Sequence, residues 1–227
     1  MATILDDIER GDIGAVEAAL EAGFVPDTPV GDDGDLALCW AAAYGQVDIL
    51  RTLLEHGATV DLAPAHGMGG PALSDALFEN QVEAARLLVG AGAATDFAAA
   101  AALGLLDIVR AHDESDGERW SAFLSACKTG EIDVVRYLVP RGIDVAIYPP
   151  GDEWGGVGAS GLHWAAASNH VALVHYLLDA GTPVDIVDDT FANTPLGWAL
   201  IDGALDAATA LRAAGADESL VRKGNLS

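Results

Sequence analysis

Cysteine is scarce in this chain of 227 residues, which contains only Cys39 and Cys127. Both lie in segments with a helical pattern, and two separated thiols provide neither a disulfide framework nor the Cys-x-x-Cys spacing of a zinc site. We therefore expect two buried free thiols. The sequence predicts neither a metal ion nor a cofactor.

Basic residues are also scarce, because 11 Lys and Arg stand against 35 Asp and Glu and give a formal net charge of −24. Nucleic acids are bound through clustered Lys and Arg, and the anionic surface of a membrane repels a strongly acidic protein. We expect no nucleic acid and no membrane as partner. An acidic surface is compatible with a basic protein partner.

Long apolar runs are missing too. The first residues, MATILDDIERGD, lack the basic and apolar regions of a secretory signal, and no apolar run approaches the ~18 residues of a membrane-spanning helix. We therefore expect a cytoplasmic protein. Apolar residues nevertheless make up 51% of the chain, which is enough for a substantial core, so global disorder is not expected.

What the sequence does contain is an internal repeat. An apolar helical run closes on a glycine six times, with successive spacings of 34, 35, 50, 39 and 34 residues, at Gly23, Gly57, Gly92, Gly142, Gly181 and Gly215. The interval of 50 residues holds one further, shortened unit at residues 97–113. Recurrence at this period is typical of stacked repeats, and the chain holds about seven of them.

Every unit has the same internal order: a short apolar helix, a break, and an amphipathic helix with apolar residues at i, i+3, i+4 and i+7. At Thr194 and Pro195 a side chain able to cap a helix precedes a proline that presets the first turn. The breaks fall at residues that tolerate a left-handed backbone, namely Gly11, Gly45, Asn80, Gly104, Gly130, Asn169 and Gly203.

The stretch GLHWAAASNHVALVHYLLDAGTPVD, residues 161–185, resembles the ankyrin repeat, and so do LALCWAAAYGQVDILRTLLEHGATVD at 36–61 and TPLGWALIDGALDAATALRAAGAD at 194–217. The resemblance implies an all-α ankyrin-repeat solenoid of about seven helix-turn-helix units with short loop fingers, in which the unit at 97–113 is truncated. We expect residues 1–227 to form a single domain with units at about 1–25, 34–61, 69–96, 97–118, 120–146, 159–187 and 192–217.

Three histidines, His163, His170 and His175, lie close together in the sequence. The resemblance implies that His163 and His170 hydrogen-bond the turn backbone between repeats. A zinc site would instead need three or four ligands that converge from these positions. We interpret the histidines as structural.

Helical periodicity separates two faces of the first helix of a unit. Leu38, Ala41 and Ala42 share the face predicted to be core, whereas Ala37, Trp40 and Tyr44 share the opposite one. The resemblance implies that this opposite face lines a concave groove. The predicted groove residues, taken unit by unit, are Trp40, Tyr44, Asp75, Glu79, Trp164, Ser168, Trp198 and Asp202.

Aromatic faces beside carboxylates suit a basic peptide or a small cationic ligand. The alternative is that the tryptophans pack against one another between repeats. A second candidate is the long finger at residues 145–160, in which Tyr148 and Trp154 could anchor a partner or fold back on the next unit.

No Ser-His-Asp or Cys-His arrangement marks a catalytic nucleophile, so no catalytic residue is predicted. We expect a monomeric, non-enzymatic protein-binding scaffold or adaptor whose partner is basic. The first alternative is a small-molecule binder or enzyme with an aromatic and acidic pocket in the groove. The second is an immunity or stabilising subunit for the product of a neighbouring gene.

Overall fold

The computed structural model describes residues 3–31, 34–64, 70–112, 115–147 and 158–222. In these ranges the regular structure is helical, apart from one isolated antiparallel bridge between Val30 and Asp35. The predicted all-α class is therefore confirmed. The described α-helices are α1 Ile4–Glu9, α2 Ile13–Glu21, α3 Ala37–Ala43, α4 Val47–Glu55, α5 Ala72–Phe78, α6 Val82–Gly90, α7 Phe97–Ala102, α8 Leu106–Ala111, α9 Asp116–Thr129, α10 Ile132–Leu138, α11 Gly161–Ala167, α12 Val171–Asp179, α13 Pro195–Ile201 and α14 Leu205–Ala213, with 3-10 helices at Val139–Arg141 and Glu218–Leu220.

The chain divides into two compact parts, Met1–Ala99 and Ala100–Ser227, which are called unit 1 and unit 2 below. A single helix pair is called a repeat from here on. That residues 1–227 form a single domain stays a prediction. In unit 1 the first helices of successive repeats pack in the order α1, α3, α5, and the second helices pack in the order α2, α4, α6. In unit 2 the first helices α9, α11 and α13 pack in order, while α8 contacts α10 and α12 contacts α14. Each unit thus stacks helix pairs as the repeat predicts.

The breaks between paired helices have the predicted backbone. All seven predicted Gly and Asn positions have a positive φ, including two that carry a side chain, Asn80 at 59° and Asn169 at 60°. The six glycines that close the repeats also have a positive φ. Asparagine tolerates this region better than most residues with a Cβ, because its short polar side chain can bond locally.

The side chain of Asn169 also forms a hydrogen bond to the next repeat. Its Oδ1 accepts a hydrogen bond from the backbone N–H of Ala207 at 2.9 Å, in the first turn of α14. A residue of one repeat therefore caps a helix of the following one.

Three of the fingers are linked to the following repeat by an aspartate that lies four residues after the closing glycine. Their carboxylates accept hydrogen bonds from backbone N–H groups about one repeat later: Asp27 from Thr59 at 2.8 Å, Asp61 from Ala94 at 3.0 Å, and Asp185 from Asp217 at 2.9 Å.

The core face of α3 is largely as predicted, because Leu38, Ala41 and Ala42 are all buried. The prediction that Ala37 lies on the groove face was wrong, because its side chain is fully buried. The helix packs between α1 and α5, and both neighbours contact it, so its first turn is enclosed from more than one side. Cys39 and Cys127 are buried free thiols, as predicted.

The truncated repeat consists of α7 and α8, each of six residues. The next helix, α9, begins at Asp116, whereas the repeat that contains it was predicted to begin at about residue 120. A capping box causes the earlier start: Ser115 Oγ accepts from the Glu118 N–H at 3.4 Å, and Glu118 Oε2 accepts from the Ser115 N–H at 2.8 Å.

Among the described residues no helix is both long and apolar enough to cross a membrane.

Candidate functional site

Four of the predicted groove residues lie in unit 1. Trp40 and Tyr44 come from α3, and Asp75 and Glu79 come from α5 and its C-terminal cap. The two rings lie 5.6 Å apart at 39°. Tyr44 is 42% exposed, Glu79 is exposed, and Trp40 and Asp75 are half-buried. These four residues, together with Glu9 at the end of α1, are called the aromatic–acidic patch.

Burial and, to a lesser extent, neighbouring carboxylates raise the pKa of two groups in the patch. Burial raises the pKa of Asp75, and the charges of Glu79 and Asp35 raise it further, against a hydrogen bond from the Gly70 N–H at 3.3 Å. The pKa of Tyr44 is raised by loss of solvent contact and then by the carboxylate of Glu9, which accepts a hydrogen bond from the phenol. A cation placed here would relieve this like-charge repulsion.

Cys39 lies beneath Asp75 and is unsuited to nucleophilic chemistry. Burial and the neighbouring Asp75 charge raise the pKa of its thiol to about 12. Its Sγ makes weak hydrogen bonds to the carbonyl oxygens of Leu62 at 3.8 Å and Gly70 at 3.6 Å. Since the thiolate is the nucleophilic form, this thiol is inert at neutral pH.

The other four predicted groove residues lie in unit 2, where the two tryptophans pack against each other. Trp164 of α11 and Trp198 of α13 meet edge to face, with centroids 5.2 Å apart at 85°. Trp198 is only 9% exposed, whereas Trp164 is half-buried and lies 5.5 Å below the Lys128 ammonium. The alternative of tryptophans packed between repeats therefore describes this pair. Ser168 is half-buried, and partial burial raises the pKa of Asp202, which is largely exposed.

A buried carboxylate, which sequence reasoning missed, holds Trp198 in place. Asp188 is 2% exposed and accepts three hydrogen bonds. Their donors are the indole Nε1–H of Trp198 at 3.0 Å, the Asn193 N–H at 3.0 Å and the Phe191 N–H at 2.5 Å. This network joins α13 to the finger before it, so Trp198 has a structural role here. In the sequence, Asp188 is one of several aspartates in that finger, and nothing there distinguishes it.

His163 is fully buried and bridges two repeats. Its Nδ1 accepts from the Ser160 N–H at 3.2 Å, which places the ring proton on Nε2, and Nε2 donates to the Asn193 carbonyl at 3.2 Å. Burial lowers the pKa of His163 to about 4. His163 therefore makes the structural contact between repeats that was predicted for it.

His170 also contacts backbone of another repeat, but of the preceding one. Its Nε2 lies 3.0 Å from the Lys128 carbonyl, and its ring packs against Gly130, where a Cβ would come within 2.6 Å of Nδ1. His175 is exposed on α12. The described residues contain no group of three or more His, Cys, Asp or Glu able to hold a metal ion.

An open groove of about 680 Å³ lies on the second helices of unit 1, between α4 and α6, away from the predicted residues. Its apolar floor includes Val47, Leu54 and Leu87, and Arg51 and Arg86 stand at its sides. The sequence shows these side chains as ordinary members of two amphipathic helices, so their joint groove was not predicted. The other site candidates, Tyr148 and Trp154, lie outside the described residues.

Two family models match the chain. A model described as ankyrin repeats (3 copies) matches residues 8–99, and one described as ankyrin repeats (many copies) matches residues 162–217. These ranges contain the aromatic–acidic patch and the packed tryptophans, respectively.

Among curated proteins, the chain is similar to the palmitoyltransferase Hip14 of Drosophila melanogaster, with 40% identity over 94 residues, 41% of this chain and 14% of that protein. It is also similar to the palmitoyltransferase ZDHHC17 of Homo sapiens, with 35% identity over 106 residues, 47% of this chain and 16% of the relative. The chain thus spans only a small part of the length of these relatives. The solved human ASB11 ankyrin repeat domain aligns with 96% of this chain and 85% of its own, with 19% identity and a TM-score of 0.46.

Proposed function

Because this chain belongs to the ankyrin-repeat family, we propose that it is a non-enzymatic protein-binding module whose partner presents a basic surface. Ankyrin repeats generally mediate contacts between proteins. Repeat stacks expose continuous surfaces on which such contacts form. The partner's identity has to come from the chemistry of those surfaces, because fold and function are separable.

The observation that carries the proposal is the aromatic–acidic patch. An exposed Tyr44 ring lies beside Trp40, and the carboxylates of Glu9 and Glu79 act on Tyr44. A Lys or Arg side chain from a partner can lie over such a ring while a carboxylate neutralises its charge. The raised pKa values of Asp75 and Tyr44 are compatible with this direction, because neighbouring carboxylates add to the larger effect of burial at both groups.

The composition supports the same partner. At low salt, a net charge of −24 attracts a basic surface and repels further copies of the chain, which favours a monomer, and salt weakens both effects. We place the protein in the cytoplasm, in line with its composition. The inert thiol of Cys39 and the buried ring of His163 support the absence of nucleophilic catalysis.

The test is the affinity for a short fluorescent peptide of alternating Arg and Gly, measured by anisotropy at low and at physiological salt. Replacing Tyr44 by Ala should weaken binding about 3- to 30-fold, the range expected for one cation–π contact. Glu79→Gln should weaken it about 2- to 5-fold, as for a partly exposed ion pair. Circular dichroism checks that both variants keep their helical content.

Glu55→Gln is the matched control, because it removes one exposed carboxylate from α4 in the same unit but outside the patch. It should leave the affinity nearly unchanged. If Glu55→Gln weakens binding as much as Glu79→Gln, or if binding does not depend on salt, the patch is not the binding site.

A further inference from the structure

Arginine recurs at one position of the second helices. The fifth residue is Arg51 in α4, Arg86 in α6, Arg110 in α8 and Arg136 in α10, and it is His175 in α12. In a chain with so few basic residues, this register places an arginine on two successive second helices within each unit. Three of these positions, Arg110, Arg136 and His175, lie in unit 2.

In unit 2 the arginine of one repeat lies over a tyrosine of the next. The guanidinium carbon of Arg110 is 5.8 Å from the centroid of the Tyr137 ring, and that of Arg136 is 5.6 Å from the Tyr176 centroid. Arg141 lies over the same Tyr137 ring at 3.5 Å, and its Nη1 donates to the Tyr137 carbonyl at 2.7 Å. These three arginines and two tyrosines are called the arginine–tyrosine face.

The rings are half-buried and the arginines are exposed, so the tyrosines form a support and the guanidinium edges point to solvent. A stacked guanidinium keeps its fork of N–H donors available for a carboxylate, and the stack reduces the entropy lost on binding. Within the described part of the chain, Arg136 has no ion pair. Arg110 has Asp107 at 3.9 Å, but that carboxylate is fully exposed and competes weakly.

We propose that the arginine–tyrosine face binds a carboxylate-rich segment of a partner protein. Three guanidinium groups on a supported surface, of which that of Arg141 already donates one N–H to the Tyr137 carbonyl, match several Asp or Glu side chains in an extended peptide. At physiological salt, interactions between charges more than about 8 Å apart are largely screened. A short acidic segment is therefore attracted by the arginines it contacts more than it is repelled by the net charge of the whole chain. This surface differs from the aromatic–acidic patch in position and sign, and it requires nothing from it.

The test uses a fluorescent peptide of alternating Glu and Ser, with binding to the full chain measured by anisotropy at about 0.15 M salt. Arg136→Ala should weaken binding about tenfold, the loss expected for one charge-assisted hydrogen-bond pair. Arg136→Lys keeps the charge but not the fork, and it should recover only part of the affinity.

Arg212→Ala is the matched control. It removes one exposed arginine from α14 in the same unit, where the side chain pairs with Glu218 at 2.7 Å rather than with a tyrosine. Its affinity for the peptide should equal that of the wild type. Tyr176→Leu keeps every arginine and the apolar packing, yet it should weaken binding several-fold because the support under Arg136 is lost.

Four results would overturn the proposal: no binding by the wild type, equal losses in Arg136→Ala and Arg212→Ala, full recovery by Arg136→Lys, or an unchanged affinity in Tyr176→Leu. Displacement of the peptide by duplex DNA, at a phosphate concentration equal to the concentration of peptide carboxylates, would contradict a peptide partner. If the free chain sediments as a concentration-dependent oligomer and Arg136→Ala makes it monomeric, the face binds a second copy of this chain instead.

Discussion

Acidification should destabilise unit 2 through the buried ring of His163. This imidazole is neutral in the folded protein, because burial lowers its pKa from 6.5 to about 4. In the unfolded chain the same ring is solvated and takes up a proton near its ordinary pKa. The unfolded state therefore binds more protons between these two values, and the free energy of unfolding falls as the pH falls.

The size of the effect follows from the two pKa values. The contribution is fully present above pH 6.5 and is lost progressively as the pH falls toward 4. Proton linkage gives a loss of about 2 kcal/mol on going from about pH 7.5 to about pH 5, and about 3 kcal/mol once the pH is below both values. Protonation in the folded state would also break the bond that Nδ1 accepts from the Ser160 N–H, at 3.2 Å.

Acid also acts on other groups, so the wild type alone is not diagnostic. Hydrogen bonds lower the pKa of Glu118 and Asp217, and stability from these carboxylates is likewise lost as the pH falls. The informative quantity is the difference between the wild type and His163→Gln, which carries no titrating group at this position. From about pH 7.5 to about pH 5, the wild type should lose about 2 kcal/mol more than the variant, starting from a higher stability.

Urea unfolding followed by circular dichroism at several pH values measures both slopes. His175→Gln is the control, because it removes an exposed histidine from the next helix, and it should follow the wild type. An NMR titration of the His163 ring checks the cause directly. Parallel pH dependence in wild type and His163→Gln, or a ring that titrates near 6.5 in the folded protein, would refute the reasoning.

Three further substitutions test the packing of the repeats. Gly130→Ala should lower the free energy of unfolding by more than the roughly 1–2 kcal/mol of a left-handed alanine, because its Cβ would meet the His170 ring. Gly203→Ala is the control, since Gly203 has a φ of 71° and no atom within 4 Å of the added Cβ. Urea unfolding of this control should show the backbone cost alone. Asn169→Gly suits the backbone but removes the hydrogen bond to the first turn of α14, so thermal unfolding should show a loss of about 0.5–1.5 kcal/mol, and an unchanged midpoint would contradict the capping role. Leu177→Ala, at a fully buried position of α12, should cost about 2–5 kcal/mol by chemical unfolding, and a cost below about 1 kcal/mol would mean that the site collapses without a cavity.

Much of the fold could be predicted because it depends on short-range rules. The seven breaks, including Asn80 and Asn169, have the left-handed backbone that their residue types favour. The cap at Thr194 was also predicted, and its Oγ1 accepts from the Gly197 N–H at 3.2 Å. These features involve residues within about one helical turn of each other, so one repeat is enough to specify them.

The features that periodicity did not predict depend on contact between repeats. Ala37 was assigned to a groove face by helical periodicity, but two neighbouring helices enclose it. Trp198 stays a candidate site residue, but Trp164 packs on its edge and Asp188 accepts its indole proton, as in the alternative of packed tryptophans. Periodicity describes a single helix and does not contain the neighbours that decide which side chains remain accessible.

The amino-acid sequence by itself determined the repeat, its helix pairs, its turn residues and the acidic character of the surface, because these depend on local backbone preferences and on composition. Only the tertiary structure decided which aromatic side chains are accessible, that His163 is neutral, and that Arg110 and Arg136 lie over tyrosines of the following repeats. The physical reason is that exposure, dielectric environment and ring stacking are properties of the space between repeats, where residues about one repeat apart in sequence meet.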